Sequence, residues 1–183
     1  MSTKDIVYIA LFAAITAAMG LFPAFTLPII AVPITAQSMG PMFAGAIAGA
    51  KRGALAMVLF DVLVMVGLPL LAGGRGGLGI FMGPSGGFIL AWPIAALVIG
   101  YLYQKNIRSL SVVKEALFIT LGGIVIIYSS GIPWIAAFAK ISLSQAAIGA
   151  MGFIPGDIIK VILTVLIVRP VRKAYPTLEI RKH

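Results

Sequence analysis

Three ionisable residues interrupt otherwise apolar runs of this chain: Asp61, Asp157 and Lys160. Asp157 and Lys160 are three positions apart, so a helix sets them on one face within reach of each other. A carboxylate only accepts hydrogen bonds and an ammonium only donates them. Side by side they read a ligand that offers a donor next to an acceptor. The alternative is a self-neutralising ion pair whose sole effect is to let an apolar helix carry two charges. The pair follows Gly152, Pro155 and Gly156; a proline in a membrane helix frees the carbonyl four residues earlier, a feature tolerated where the helix lines a cavity or packs tightly. Asp61 has no cation near it in sequence. A hydrogen bond to a hydroxyl or amide of a neighbouring helix is the expected accommodation, and it is left outside the site.

The second cluster is backbone chemistry. Gly73-Gly74-Arg75-Gly76-Gly77-Leu78-Gly79 leads through Ile80-Phe81-Met82 to Gly83-Pro84-Ser85-Gly86-Gly87. The string lacks the Gly-Lys-Ser/Thr ending of a phosphate loop, so nucleotide binding is not expected. Glycines let a backbone approach closely, which suits a lid over a cavity. A plain connector of compact folds runs about 4 to 6 residues, and this one is several times longer. Arg75, the basic residue of the loop, points to an anionic ligand. No serine sits in a nucleophile-elbow string and no carboxylate or histidine cluster has metal-ligand spacing. The single histidine is the terminal His183, and the chain has no cysteine. Enzyme chemistry and a resident cofactor or metal are therefore not expected.

The elements that must position these residues follow from composition. Of 183 residues, 61% are hydrophobic and only 10% charged, with a mean hydropathy of +1.11. A soluble domain averages roughly a quarter charged residues, so the chain reads as an all-α polytopic membrane protein forming one integral domain. A spanning helix needs about 20 apolar residues, and six windows qualify: Ile6 to Phe22, Ser38 to Ala50 (short), Ala54 to Leu71, Pro84 to Tyr103, Ala116 to Ala139 and Ala146 to Val168. Pro23, Pro28 and Pro33 break the stretch after the first, predicting a loop or re-entrant segment. With a cytoplasmic N-terminus, all basic residues but Arg75, Lys140 and Lys160 fall on the cytoplasmic side. The positive-inside rule then places both termini in the cytoplasm and the glycine-rich loop, between helices 3 and 4, outside. Tethering to anionic lipid accounts for the net charge of +9 without nucleic acid. Lys4 and the apolar run behind it also look like a secretory signal; more membrane sequence follows, so the run is read as a retained span. Small residues line that span in two stripes, Ala10, Ala14 and Ala18 beside Ala13 and Ala17, which let another helix approach closely. A transporter of this size has no hydrolytic machinery and needs a partner to couple to ATP.

Several ordered motifs together resemble one family. Val32-Pro33-Ile34-Thr35-Ala36-Gln37, Ala50-Lys51-Arg52-Gly53-Ala54, Gly67-Leu68-Pro69, the two glycine strings ending at Phe88, and Phe153-Ile154-Pro155-Gly156-Asp157-Ile158-Ile159-Lys160 are similar to the BioY family. These are the biotin-specific substrate-binding subunits of energy-coupling factor transporters, and the likeness spans roughly residues 6 to 170. Ser85 and Phe88 stand where the family usually has threonine and tyrosine, and Ala91-Trp92 where Gly-Phe is common.

The resemblance implies six transmembrane helices, an external biotin pocket under the glycine-rich loop, and a first-helix alanine motif that meets the transmembrane coupling subunit. Two ATP-binding subunits would complete the transporter. Biotin presents a ureido ring with two N–H donors and a carbonyl, an apolar thioether ring, and a chain ending in a carboxylate. Asp157 would accept from a ureido N–H, and Lys160 would donate to the ureido carbonyl or orient Asp157. Arg75 would meet the carboxylate; the opposite assignment puts Lys160 there. Gln37 and Ser85 are secondary polar candidates, and Phe43, Met82, Trp92 and Tyr128 are expected apolar walls. A different vitamin in the same architecture is the first alternative. The second is an intramembrane hydrolase using Asp61 and Asp157 as a facing dyad, a reading that Lys160 beside Asp157 opposes.

Overall fold

The computed structural model describes residues 1–26 and 32–175; Pro28 and the basic residues of the C-terminal tail, Arg181 and Lys182, with His183, fall outside them. Helix α1 (Thr3–Ala18) starts on a reciprocal cap, the Ser2 hydroxyl accepting from the Asp5 amide and the Asp5 carboxylate from the Ser2 amide, which satisfies donors the first turn leaves open. Past a 3₁₀ turn at Met19–Leu21 the chain becomes extended. Strand β1 (Phe25–Thr26) pairs antiparallel with β2 (Pro33–Ile34), Phe25 opposite Ile34. The proline-rich stretch is thus a short paired ribbon at its described ends, where no interior helical donor is required.

A 3₁₀ turn at Ala36–Ser38 leads into α2 (Met39–Phe43), continued by a π-helical turn at Ala44–Ala48. Every residue from Met39 to Ala48 is buried, so this short second window is the centre of the bundle. Helix α3 (Ala50–Met65) ends before Gly67, whose φ of 104° turns the chain. Single-turn α4 (Gly79–Met82) and short α5 (Gly86–Leu90) precede α6 (Trp92–Lys105). Helix α7 (Val112–Thr120) runs through a π-helical turn at Leu121–Ile126 into α8 (Ile127–Ala139). The sixth window, expected as one helix, is two: α9 (Leu143–Met151) and α10 (Ile154–Ala174), bent by 54°. Pro155 explains the break. It has no N–H for the carbonyl one turn back, so it sits in the first turn of α10, where that donor is not needed, rather than inside a continuous helix.

Among the described residues, three helical stretches are long and apolar enough to cross a membrane: Thr3–Leu21, Gly86–Lys105 and Val112–Ala139. The bent pair α9 and α10 passes the same test together. Their outer faces carry large apolar side chains, among them Leu11 on α1, Leu117 on α7, and Ile159, Ile162 and Leu166 on α10, all exposed. Apolar surface of that extent matches lipid rather than water: the protein is an integral membrane protein.

Ion pairs collect one end of the bundle. Arg52 at the start of α3 binds Asp5 at 2.7 Å and lies over the Tyr8 ring, and Gln104 at the end of α6 accepts from the Ala50 amide. Arg172 near the end of α10 contacts Glu115 of α7 at 3.5 Å and covers the Tyr103 ring.

Candidate functional site

The other end holds a cavity that is open at its mouth. Apolar side chains dominate its wall, with Ile34, Leu71, Phe88, Trp92, Ile127 and Phe153 among them. Phe88 meets Tyr128 and Phe153 edge-on at 6.2 and 6.3 Å, and Trp92 packs against Phe60 at 5.7 Å.

One polar chain crosses this wall. The bend before α10 puts Asp157 in the helix's first turn, where a carboxylate suits the dipole. Lys160 Nζ donates to Asp157 Oδ1 at 2.9 Å and to Ser38 Oγ at 2.9 Å, while the Tyr128 hydroxyl donates to Asp157 Oδ2 at 2.6 Å. Two distant segments, those of Ser38 and Tyr128, therefore converge on two side chains of α10, each of which is largely buried. Charge-assisted bonds of this kind are roughly twice as strong as neutral ones. Each carboxylate oxygen keeps a free lone pair and the ammonium one further N–H for a ligand.

The glycine-rich loop supplies the third charged group. Leu71 and Arg75 exchange both backbone hydrogen bonds, at 3.0 and 3.1 Å, around Gly73 and Gly74, whose φ angles are 78° and 68°. Glycine adopts such angles without the Cβ penalty. Arg75 Nε donates to the Ala72 carbonyl at 3.1 Å, which leaves both terminal nitrogens for a partner. The exposed Arg75 lies on the cavity wall, as do the buried Ser85 and Gln37. The second glycine string is pinned to α8, Ser130 donating to the Gly87 carbonyl and Trp134 Nε1 to that of Gly83.

Of the residues singled out in the sequence, Asp157, Lys160, Gln37, Arg75, Ser85, Trp92 and Tyr128 line this one cavity. Phe43 and Met82 do not. Consecutive helical residues point about 100° apart: Met42 faces Gly123 beside the cavity, so Phe43 turns instead to an apolar groove between α1 and α10. On α4 Phe81 takes the buried position and Met82 is 69% exposed. Asp61 is buried as expected of a mid-span residue, but its Oδ1 has no hydrogen-bond partner, so the expected interhelical bond is not formed. It is also absent from the cavity wall, where both Asp157 oxygens are already engaged; no Asp61–Asp157 dyad exists there. Ser38, Phe88 and Phe153 also line the wall; Phe88 and Phe153 stand in the quoted motifs but were not named as site residues, and Ser38 stands in none of them. Ser38 carried a signal, being the last polar residue of the Thr35–Ser38 run before a span.

The alanine stripes separate. Ala10, Ala14 and Ala18 are exposed, whereas Ala13 is buried and Ala17 half-buried.

A membrane-embedded helical bundle with a mainly apolar cavity, part of whose wall comes from a glycine-rich loop, is an architecture suited to a small-molecule-binding membrane subunit. The comparisons with known proteins make the assignment specific: residues 1–177 match the model of the BioY family, and the chain belongs to that family. It is 46% identical to the biotin transporter BioY of Rhizobium etli over 99% of this chain and all of that one. It is 43% identical to the biotin transporter BioY of Rhodobacter capsulatus over 95% of this chain and 96% of that one. A crystal structure of the S-component for biotin from an ECF-type ABC transporter superposes with a TM-score of 0.89 at 37% identity, covering 94% of this chain and 95% of that one.

Proposed function

We propose that the protein is the biotin-binding subunit of an energy-coupling factor uptake transporter, capturing external biotin for import driven by a partner module. The observation that carries this is the Ser38–Lys160–Asp157–Tyr128 chain on an otherwise apolar cavity wall. An acceptor beside a donor is what a ureido ring requires: Asp157 accepts from its N–H and Lys160 donates to its carbonyl. Trp92, Phe88 and Phe153 enclose the thioether ring, and Ser85 lines the polar side. The exposed Arg75 meets the carboxylate at the mouth, charge against charge.

The chain crosses the membrane six times with both termini in the cytoplasm and the cavity open to the outside. The ion-paired end supports this, since it gathers the starts of α1, α3 and α7 and the ends of α6 and α10, as alternating passes require. The basic residues of that end satisfy the positive-inside rule. The exposed Ala10, Ala14 and Ala18 stripe takes the transmembrane coupling subunit, which with two ATP-binding subunits supplies the energetic step. No step of the reading calls on enzyme chemistry.

The test is uptake of labelled biotin by cells lacking their own biotin uptake, with this chain co-expressed with a coupling subunit and two ATPases. Accumulation that Asp157→Asn abolishes is expected; accumulation indifferent to that substitution overturns the site.

A further inference from the structure

Gln37 was expected to touch the ligand, yet its amide is already spent. Nε2 donates to the Thr16 carbonyl at 3.1 Å and to the Leu70 carbonyl at 2.9 Å, and Oε1 accepts from the Ala72 amide at 2.8 Å. The side chain is 1% exposed. Two carbonyls at one end and one N–H at the other leave a single orientation for the amide. Thr16 lies in the last turn of α1, where carbonyls lack helical donors; Leu70 and Ala72 flank Leu71 at the base of the lid hairpin. Buried backbone groups need partners, and one glutamine supplies three of them on two different elements. The fit is close: a Cβ at Gly20 would come within 2.6 Å of the Leu70 oxygen and 2.9 Å of Gln37 Nε2.

Ala72 passes this constraint onward. Its N–H is held by Gln37 and its carbonyl accepts from Arg75 Nε at 3.1 Å, so a single peptide residue separates the buried amide from the guanidinium. We propose that Gln37 is a positioning residue for the lid: it locks the hairpin bearing Arg75 to the end of α1, and acts on the ligand only through Arg75. The inference rests on the reading that Arg75 meets the biotin carboxylate. It also makes α1, the helix with the exposed alanine stripe, mechanically continuous with the lid.

The test compares biotin with its methyl ester, which lacks the anionic carboxylate, in equilibrium binding to the purified full chain. Gln37→Met keeps the bulk and removes all three bonds. It is expected to weaken biotin about tenfold and the ester less than about twofold, as Arg75→Ala does, and to add nothing in the double variant. Equal loss for both ligands, or additivity with Arg75→Ala, overturns the proposal. Gln37→Glu, which would set a carboxylate against two carbonyls, should not rescue.

A second readout stands apart from the carboxylate reading. The chain has no cysteine, so Leu21→Cys and Leu78→Cys, at exposed positions 88% and 54% accessible, accept spin labels cleanly. The distance distribution between the end of α1 and the lid should be narrow with Gln37 and broad with Gln37→Met. If Arg75→Ala fails to distinguish the two ligands, the carboxylate assignment falls, and the spin-label distribution still decides: broadening supports the lock and an unchanged distribution overturns it.

Discussion

At the scale of single residues, the proposed site rests on an ion pair, Asp157 with Lys160, buried in the cavity wall. Removing one partner of a buried pair leaves the other uncompensated, so Asp157→Asn and Lys160→Ala are each expected to weaken biotin by at least about 1.5 kcal/mol, roughly tenfold or more. Titration of the purified variants checks this, and wild-type affinity in both would move the site elsewhere. Tyr128→Phe removes only the hydroxyl that orients Asp157 Oδ2 and should cost about 0.5–1.5 kcal/mol in the same titration. Asp61 predicts the opposite behaviour. Its buried Oδ1 has no partner, so Asp61→Leu should raise the Tm while biotin affinity holds; a loss of binding would give Asp61 a role the structure does not assign. The pairing of Asp157 with Lys160 was legible from their spacing of three. The roles of Ser38 and Tyr128 were not, because each arrives from a segment 122 or 29 residues away in sequence, a separation that periodicity does not bridge.

At the scale of elements, apolar runs located the long helices well and their interruptions poorly. The sixth window reads as one stretch in hydropathy, since Gly152 and Phe153 bring no charged or strongly polar side chain; only the backbone consequence of Pro155 points to the 54° bend. The same limit hid Phe43 and Met82, whose facing depends on which neighbour fills the core first. The alanine motif, by contrast, was legible as two stripes, and burial sorts them. Ala14→Leu on the exposed stripe should leave biotin binding by the isolated chain within about twofold of wild type while abolishing module-driven uptake, because a larger side chain prevents close helix approach. Paired binding and uptake assays separate the two effects, and normal uptake in that variant would place the partner on another face.

For the whole molecule, the proposed orientation rests on charge distribution and on which helix ends meet. The absence of cysteine makes the topology directly measurable. Leu78→Cys, in the lid, should react with a membrane-impermeant maleimide added outside cells, and Ser109→Cys, between α6 and α7, only after lysis; the reverse pattern would invert the bundle. Central to the proposal is that the chain binds biotin on its own. The most direct measurement is equilibrium binding of labelled biotin to the detergent-purified protein, without nucleotide or partner, competed by desthiobiotin, thiamine and riboflavin. Saturable binding displaced by desthiobiotin but by neither other vitamin is the predicted result. A folded sample that binds no biotin, or that thiamine or riboflavin displaces, would contradict the account.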